Sequence, residues 1–128
     1  MEKLKLEGSF QSPAIVLDSK IGVFDFRGIC FLTNAYEFFM PVLDWLDQYE
    51  KNPNPSSKFT FDFTYINTAS QKMLFELLKK LGKMVENGHP ITIEWFYEEN
   101  DDDLKSLGDD LLCLVNVPYK IISKDADD

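Results

Sequence analysis

Residues 58–66, KFTFDFTYI, alternate apolar and polar side chains without a break, and a helical pattern starts almost at once after them. A period of two places Phe59, Phe61, Phe63 and Tyr65 on one face of a strand and Thr60, Asp62 and Thr64 on the other. A strand patterned in this way needs one covered face and one face in water, which argues against a sheet enclosed by helices on both sides. From Thr68 the period lengthens, and Leu74, Leu77, Leu78, Leu81, Met84 and Val85 form a single stripe that stops at Asn87-Gly88. Pro90 then opens a second alternating strand, with Ile91, Ile93, Trp95 and Tyr97 opposed to Thr92 and Glu94. Strand, helix and strand in this order predict a right-handed parallel unit whose helix lies on the apolar face.

The flanking segments extend that unit. Ala14–Val16 and Gly22–Phe26 read as a hairpin joined at Asp18, Ser19 and Lys20, preceded by a strand at Leu4–Leu6, and Gly28 breaks the pattern. Asn34 with Glu37 signals a helix start, and Phe38, Val42, Trp45 or Leu46, and Tyr49 recur at helical spacing until Asn52-Pro-Asn-Pro. Pro41 falls inside that helix, where it lacks a donor for the carbonyl of Glu37, so a kink or an irregular first turn is expected. An acidic helix from about Asp101 to Leu114 and a strand at Tyr119–Ser123 complete the chain, and no internal repeat is present. The expected fold is α/β with a mixed, α+β-like sheet. An N-terminal β-hairpin is followed by alternating α-β-α-β-α-β, with the helices mainly on one face. At 128 residues and 14.8 kDa, residues 1–128 make one domain.

Charge narrows the partners. The formal net charge is −9, opposite to what a phosphate backbone attracts, so nucleic acid is not expected as a partner. Residues 98–128 hold ten acids and three bases, whereas residues 1–97 hold twelve and ten, so the acidity belongs to the C-terminal quarter. With eleven Phe, five Tyr and two Trp the chain is too apolar for a disordered acidic tail. No stretch reaches the length of a membrane span and the first ten residues are charged, so a cytoplasmic protein without membrane insertion is expected. Cys30 and Cys113 stand far apart in apolar surroundings, which reads as two buried free thiols.

Few residues carry chemistry. His89, the sole histidine, lies in the turn Asn87-Gly88-His89-Pro90, and the glycine-rich phosphate loops, nucleophile elbows and paired-histidine zinc motifs are missing. No catalytic residue, cofactor or metal ligand is expected, and the chain is read as no enzyme. The acidic run Glu98, Glu99, Asp101, Asp102, Asp103 has a rival reading as a hard-cation site, but carboxylates at a helix start complement the helix dipole without any metal. The alternative function is therefore a small-ligand or divalent-metal-binding domain, and a third is an unrecognised hydrolase. Trp45, Trp95, Phe59, Phe61 and Phe63 fit the core, whereas Tyr36, Phe39 and Tyr97, near element ends, suit partner contact better.

The segment Tyr65-Ile66-Asn67-Thr68-Ala69-Ser70-Gln71 is the most suggestive, because a strand ends and a hydroxyl-rich helix begins with nothing between. Thr68 with Gln71 reads as a capping box, with Thr68 as N-cap. A phosphate on Thr68 would meet the free N–H groups and the positive end of that helix. The helix also carries Lys72, Lys79, Lys80 and Lys83 against Glu76 and Glu86, so a phosphate there is expected to reverse a locally positive surface.

These landmarks also carry a family resemblance. They are Ser12-Pro13-Ala14-Ile15, Asn34-Ala35-Tyr36-Glu37-Phe38-Phe39 with Pro41-Val42-Leu43-Asp44-Trp45-Leu46, Tyr65-Ile66-Asn67-Thr68-Ala69-Ser70, and Trp95-Phe96-Tyr97 before an acidic run. Over nearly its full length the chain resembles the SiaC-type regulatory phosphoproteins, single-domain bacterial proteins whose fold is similar to STAS anti-sigma-factor antagonists. The resemblance implies that Thr68 is a reversible phosphorylation site, with Ser70 secondary. Ala69 departs from the family's N-T-S-S segment, and Leu32 and Thr33 depart from its proline and acid before the asparagine. It further implies a partner-switching cycle run by an anti-sigma-type Ser/Thr protein kinase and a PP2C-like phosphatase. In that cycle the unphosphorylated form binds a GGDEF diguanylate cyclase and raises cyclic di-GMP, favouring biofilm growth. The expected docking surface comprises Tyr65, Asn67, Thr68 and Ser70, with Tyr36 and Phe39 as further contacts.

Overall fold

The computed structural model describes residues 1–125. It contains β1 (Leu4–Leu6), β2 (Ala14–Asp18), β3 (Val23–Cys30), α1 (Ala35–Glu50), β4 (Ser57–Ile66), α2 (Thr68–Glu86), β5 (Ile91–Glu98), α3 (Asp102–Leu112) and β6 (Tyr119–Lys124). The six strands lie side by side in chain order. β1, β2 and β3 pair antiparallel, and β3, β4, β5 and β6 pair parallel. Each helix thus connects two neighbouring parallel strands, and crossovers of one hand between neighbours place all helices on one face.

The burial pattern follows from that one-sided cover. Ile15, Leu17, Phe24, Phe26, Phe59, Phe61, Ile93 and Trp95 are buried beneath the helices. Their neighbours Asp25, Thr60, Asp62 and Glu94 point to the open face and are half-buried. The open face is laced by ion pairs, Asp25 with Arg27 at 2.7 Å, Asp62 with Lys124 at 2.6 Å and Glu94 with Lys58 at 3.5 Å. On the covered face Phe24 stacks on Phe59 at 4.7 Å and Phe26 on Phe61 at 4.8 Å, each pair being opposite partners in the β3–β4 ladder. Such pairs add about 0.5–1.5 kcal/mol beyond the area they bury.

Against this layer α1 buries Ala35, Phe39, Val42, Trp45, Leu46 and Tyr49. Phe39, not Phe38, supplies the first large core side chain, because Asn34 caps the helix by accepting from the N–H of Glu37 at 3.1 Å and so sets its phase. The helix runs through Pro41 without interruption, so the expected irregular first turn does not occur. Tyr49 reaches Ser57 through its hydroxyl at 2.7 Å, and the Trp45 indole donates to the carbonyl of Glu2 at 2.9 Å, tying the N-terminal segment down. Lys80 of α2 pairs with Asp47 and Glu50 of α1, and Asn87 donates to Glu50 at 3.0 Å.

Two further expectations are corrected. β3 runs on past Phe26 to Cys30; Gly28 breaks its alternation as expected, at φ +108°, a backbone state that favours glycine, but does not end the strand. Cys30 is buried as expected but Cys113 is exposed, because it caps the end of α3 on the outer side, with its thiol toward the carbonyl of Asp110.

Candidate functional site

β4 outruns its neighbour. It pairs with β3 as far as Ile66 but with β5 only as far as Asp62, so its last four residues have no strand on that flank. The chain leaving β5 turns back through Asp101 into α3, and the gap between β4 and α3 becomes a groove of about 530 Å³. Thr64 to Thr68 and Gln71 form one wall; Asp101, Asp103, Leu104, Ser106, Leu107 and Asp110 form the other.

A β-bulge sets what the first wall presents. The β3–β4 register shifts between Gly28 and Ile29, so that Gly28 faces Phe63 while Ile29 faces Tyr65, leaving Thr64 as an extra residue. An inserted residue reverses the alternation beyond it. Tyr65 therefore leaves the phenylalanine face expected for it and is 49% exposed, while Ile66 turns into the core. The Tyr65 ring packs on Phe31, also 49% exposed, at 5.9 Å.

Asn67 is the hinge pin of the site. Its backbone N–H donates to Cys30, its side-chain amide donates to the carbonyl of Leu32 at 3.0 Å, and its side-chain oxygen accepts from the N–H of Ser70 at 3.0 Å. Asn67, not Thr68, is thus the N-cap of α2; asparagine and threonine both suit that position, and the strand end pins the asparagine there. Gln71 closes the turn by donating to the carbonyl of Ile66 at 3.1 Å instead of completing a box with Thr68. Thr68 is left as the first residue of α2, exposed at the mouth of the groove. Behind it the Cys30 thiol is pushed up to about 12 by burial and stays protonated.

The predicted residues divide in two. Tyr65, Asn67 and Thr68 come together along one wall, and Tyr36, 63% exposed, stands at the start of α1 at the same end of the sheet. Ser70 and Phe39 are corrections. Ser70 points inward from the first turn of α2 and is fully buried, with its hydroxyl lacking a partner, so neither a kinase nor a docking partner reaches it in this fold. Phe39 is fully buried under α1 and belongs to the core. The sequence reading missed Phe31 and Phe10 among the exposed aromatics. Phe10, 81% exposed, is presented by a turn closed between Ser9 and Ser12, and the adjacent Gln11 accepts from the N–H of Phe31.

It also missed the wall contributed by α3, and with it the sign of the local charge. Among the described residues no basic side chain lines the groove, whereas Asp101, Asp103 and Asp110 do. Of the four lysines expected to make this helix positive, Lys79 pairs with Glu76 at 2.9 Å and Lys80 with Asp47 and Glu50 of α1, while Lys72 and Lys83 form no ion pair among the described residues and do not line the groove. The acidic run itself forms a helix start: Asp101 caps α3 by accepting from the N–H of Leu104 at 3.0 Å, and Asp102 and Asp103 fill the first turn. Among the described residues no group of three or more His, Cys, Asp or Glu side chains is arranged to hold a metal ion, and no helix is long and apolar enough to cross a membrane.

Comparison with known proteins gives a consistent result. The model of the SiaC family of regulatory phosphoproteins matches residues 6–124. An uncharacterised protein of Pseudomonas aeruginosa strain UCBPP-PA14 is 25% identical over 125 residues, covering 98% of this chain and 99% of its own. The crystal structure of apo-SiaC from Pseudomonas aeruginosa superposes with a TM-score of 0.88 at 25% identity, covering 94% of this chain and 98% of that one. SiaC crystallised with the diguanylate cyclase SiaD, which it activates, has the same fold with a TM-score of 0.88 at 24% identity, covering 94% and 99% of the two chains.

Proposed function

The chain belongs to the SiaC family of regulatory phosphoproteins, a family of regulators and not of enzymes, and we propose that it is a binding protein switched by phosphate on Thr68. The observation that carries this reading is the contrast between the two hydroxyls of one turn: Thr68 is exposed at the groove mouth while Ser70 is sealed. In the proposed cycle the Thr68 hydroxyl oxygen attacks the γ-phosphorus of ATP in the site of an anti-sigma-type Ser/Thr kinase. The new O–P bond forms as the bond to ADP breaks, and the hydroxyl proton passes to the kinase's base. A PP2C-like phosphatase returns the hydroxyl by adding water across the phosphoester, with inorganic phosphate as the product.

The unphosphorylated form would dock through Tyr65, Asn67 and Thr68 together with Tyr36. The partner proposed is a diguanylate cyclase, by analogy with the SiaC–SiaD complex, whose SiaC partner shares this fold. Two half-exposed or exposed tyrosines beside a threonine suit such a contact, because aromatic side chains dominate interface energetics. Phosphorylation adds a charge of about −1.5 to −2, and desolvating it in an interface costs on the order of several kcal/mol. The whole chain acts in this scheme as one cytoplasmic regulatory domain.

The test is phosphate mapping by mass spectrometry after incubation with a cognate anti-sigma-type kinase and ATP. Phosphate is expected on Thr68 and absent from Thr68→Ala. Modification elsewhere, or none, overturns the proposal. Cyclic di-GMP synthesis by the cyclase should rise with the unphosphorylated chain and fall back when Thr68 carries phosphate.

A further inference from the structure

We infer that α3 is the yielding wall of the groove, and that a phosphate on Thr68 loosens α3 from its seat on Trp95. The inference rests on the phosphorylation proposed above and concerns what the new charge does inside the chain.

Thr68 and the carboxylates of Asp101, Asp103 and Asp110 line the same groove, with no lysine or arginine among its lining residues. Because Thr68 shares this lining with the three carboxylates, a phosphate dianion there meets like charge on the opposite wall, in a space where solvent screens it only in part. The two walls differ in how they respond. On its own side the phosphate sits at the first residue of α2, where the free N–H groups and the helix dipole favour an anion, and the first turn contains no acid. That wall is also pinned through Asn67 to Cys30 and Leu32. Across the groove α3 has an acidic first turn and no basic residue in its last turn.

The seat of α3 is narrow. Over eleven residues it fully buries Leu104, Gly108 and Leu112, with Leu107 and Leu111 partly buried against the same core. Its backbone lies directly on the Trp95 indole, whose N–H donates to the carbonyl of Leu104 at 3.1 Å. A Cβ at Gly108 would stand 2.5 Å from the indole nitrogen, so the helix backbone lies against the ring with no room for a side chain between them. Repulsion across the groove pushes α3 outward, off that ring, while the phosphate stays with α2.

The experiment is hydrogen exchange of the full chain carrying phosphothreonine at position 68, inserted during translation so that no kinase is required. Amides of α3 are expected to lose protection by about tenfold relative to the unmodified chain, while those of α1 and β3 keep theirs. The loss should shrink in Asp103→Asn/Asp110→Asn and at 0.5 M NaCl. Unchanged exchange in α3, or a loss that persists undiminished in the doubly neutralised chain, overturns the inference. Kinase labelling that misses Thr68, with α3 still loosened by inserted phosphothreonine, defeats the proposed function and leaves this inference standing.

Discussion

The helix layer has two unlike halves. α1 and α2 lie over β3 and β4 on an aromatic bed, with Trp45 stacked on Tyr49 at 5.1 Å and Phe24 among them, and Lys80 bridges both helices through Asp47 and Glu50. α3 covers the other half with three buried positions and a surface of carboxylates. Thr68 stands at the seam between the halves, at the start of the well-anchored α2 and across the groove from the weakly anchored α3. The phosphate proposed for Thr68 would meet a fixed side that sets its position and a softer side that registers it. Local stability is uneven in proteins for this reason, and elements with little buried apolar surface open first.

Three substitutions probe that contrast. The largest effect is expected from Phe39→Ala, which empties the centre of the α1 contact and should cost about 3–5 kcal/mol in denaturant unfolding. Tyr36→Ala, three residues earlier and mostly exposed, should change stability by less than about 0.5 kcal/mol while weakening partner binding. Equal destabilisation by the two would erase the distinction between core and exposed aromatics on α1. Next comes Gly108→Ala, in which the added methyl must displace either Trp95 or α3. A cost of about 1–3 kcal/mol is expected, with faster amide exchange confined to α3 and the end of β5. Exchange that speeds up across α1 as well would mean that the two halves open together.

A further, pH-dependent effect concerns the charged clamp between α1 and α2. Hydrogen bonds from Asn87 and then Lys80 hold the Glu50 carboxyl below its ordinary 4.5. For Lys80 the largest influence is burial, which lowers its value, but Asp47 and Glu50 together outweigh it and raise it above the ordinary 10.5. The depressed carboxyl stabilises the fold above its unfolded value and loses that contribution as pH falls through the folded one. The raised ammonium stabilises below 10.5 and loses its contribution as pH rises through its folded value. Lys80→Met should therefore lower Tm between about pH 4.5 and 10.5, by no more than about 1 kcal/mol in stability, and converge with the unmodified chain outside that window. A constant difference across the whole range would assign the effect to packing of the lysine stem.

Much of this architecture was legible in the order of residues. The alternation in KFTFDF, the leucine stripe of α2 and the isoleucine–tryptophan alternation of β5 each followed from one covered sheet face, and Asn34 with Glu37 marked the start of α1. Thr68 was legible as standing at a helix start just past a strand end. What escaped depended on partners distant in sequence. Asn67 and Thr68 are both able to cap a helix, and the choice was made by Cys30 and Leu32, more than thirty residues upstream. Phe39 and Phe38 were separable only once the cap at Asn34 had set the helix phase. The acidic character of the groove was hidden because α3 meets the start of α2 only through the crossover from β5, and local composition showed lysines where the space holds aspartates.

The bulge at Thr64 shows how far one residue can carry. Up to Phe63 the parity of a position in β4 decides whether it is oil-facing or water-facing; beyond Thr64 the rule is inverted, as reading resumes out of phase after an insertion. Tyr65 owes its outward direction, and Ile66 its inward one, to that single count. Across the ladder Gly28 accommodates the shift with a backbone angle that side chains resist, so the phase of the wall that carries Tyr65 is encoded partly on a strand that does not line the groove. In such a chain a deletion of one residue in β4 is a larger event than many substitutions, since it would exchange the surface and the interior of everything from there to the helix that bears Thr68.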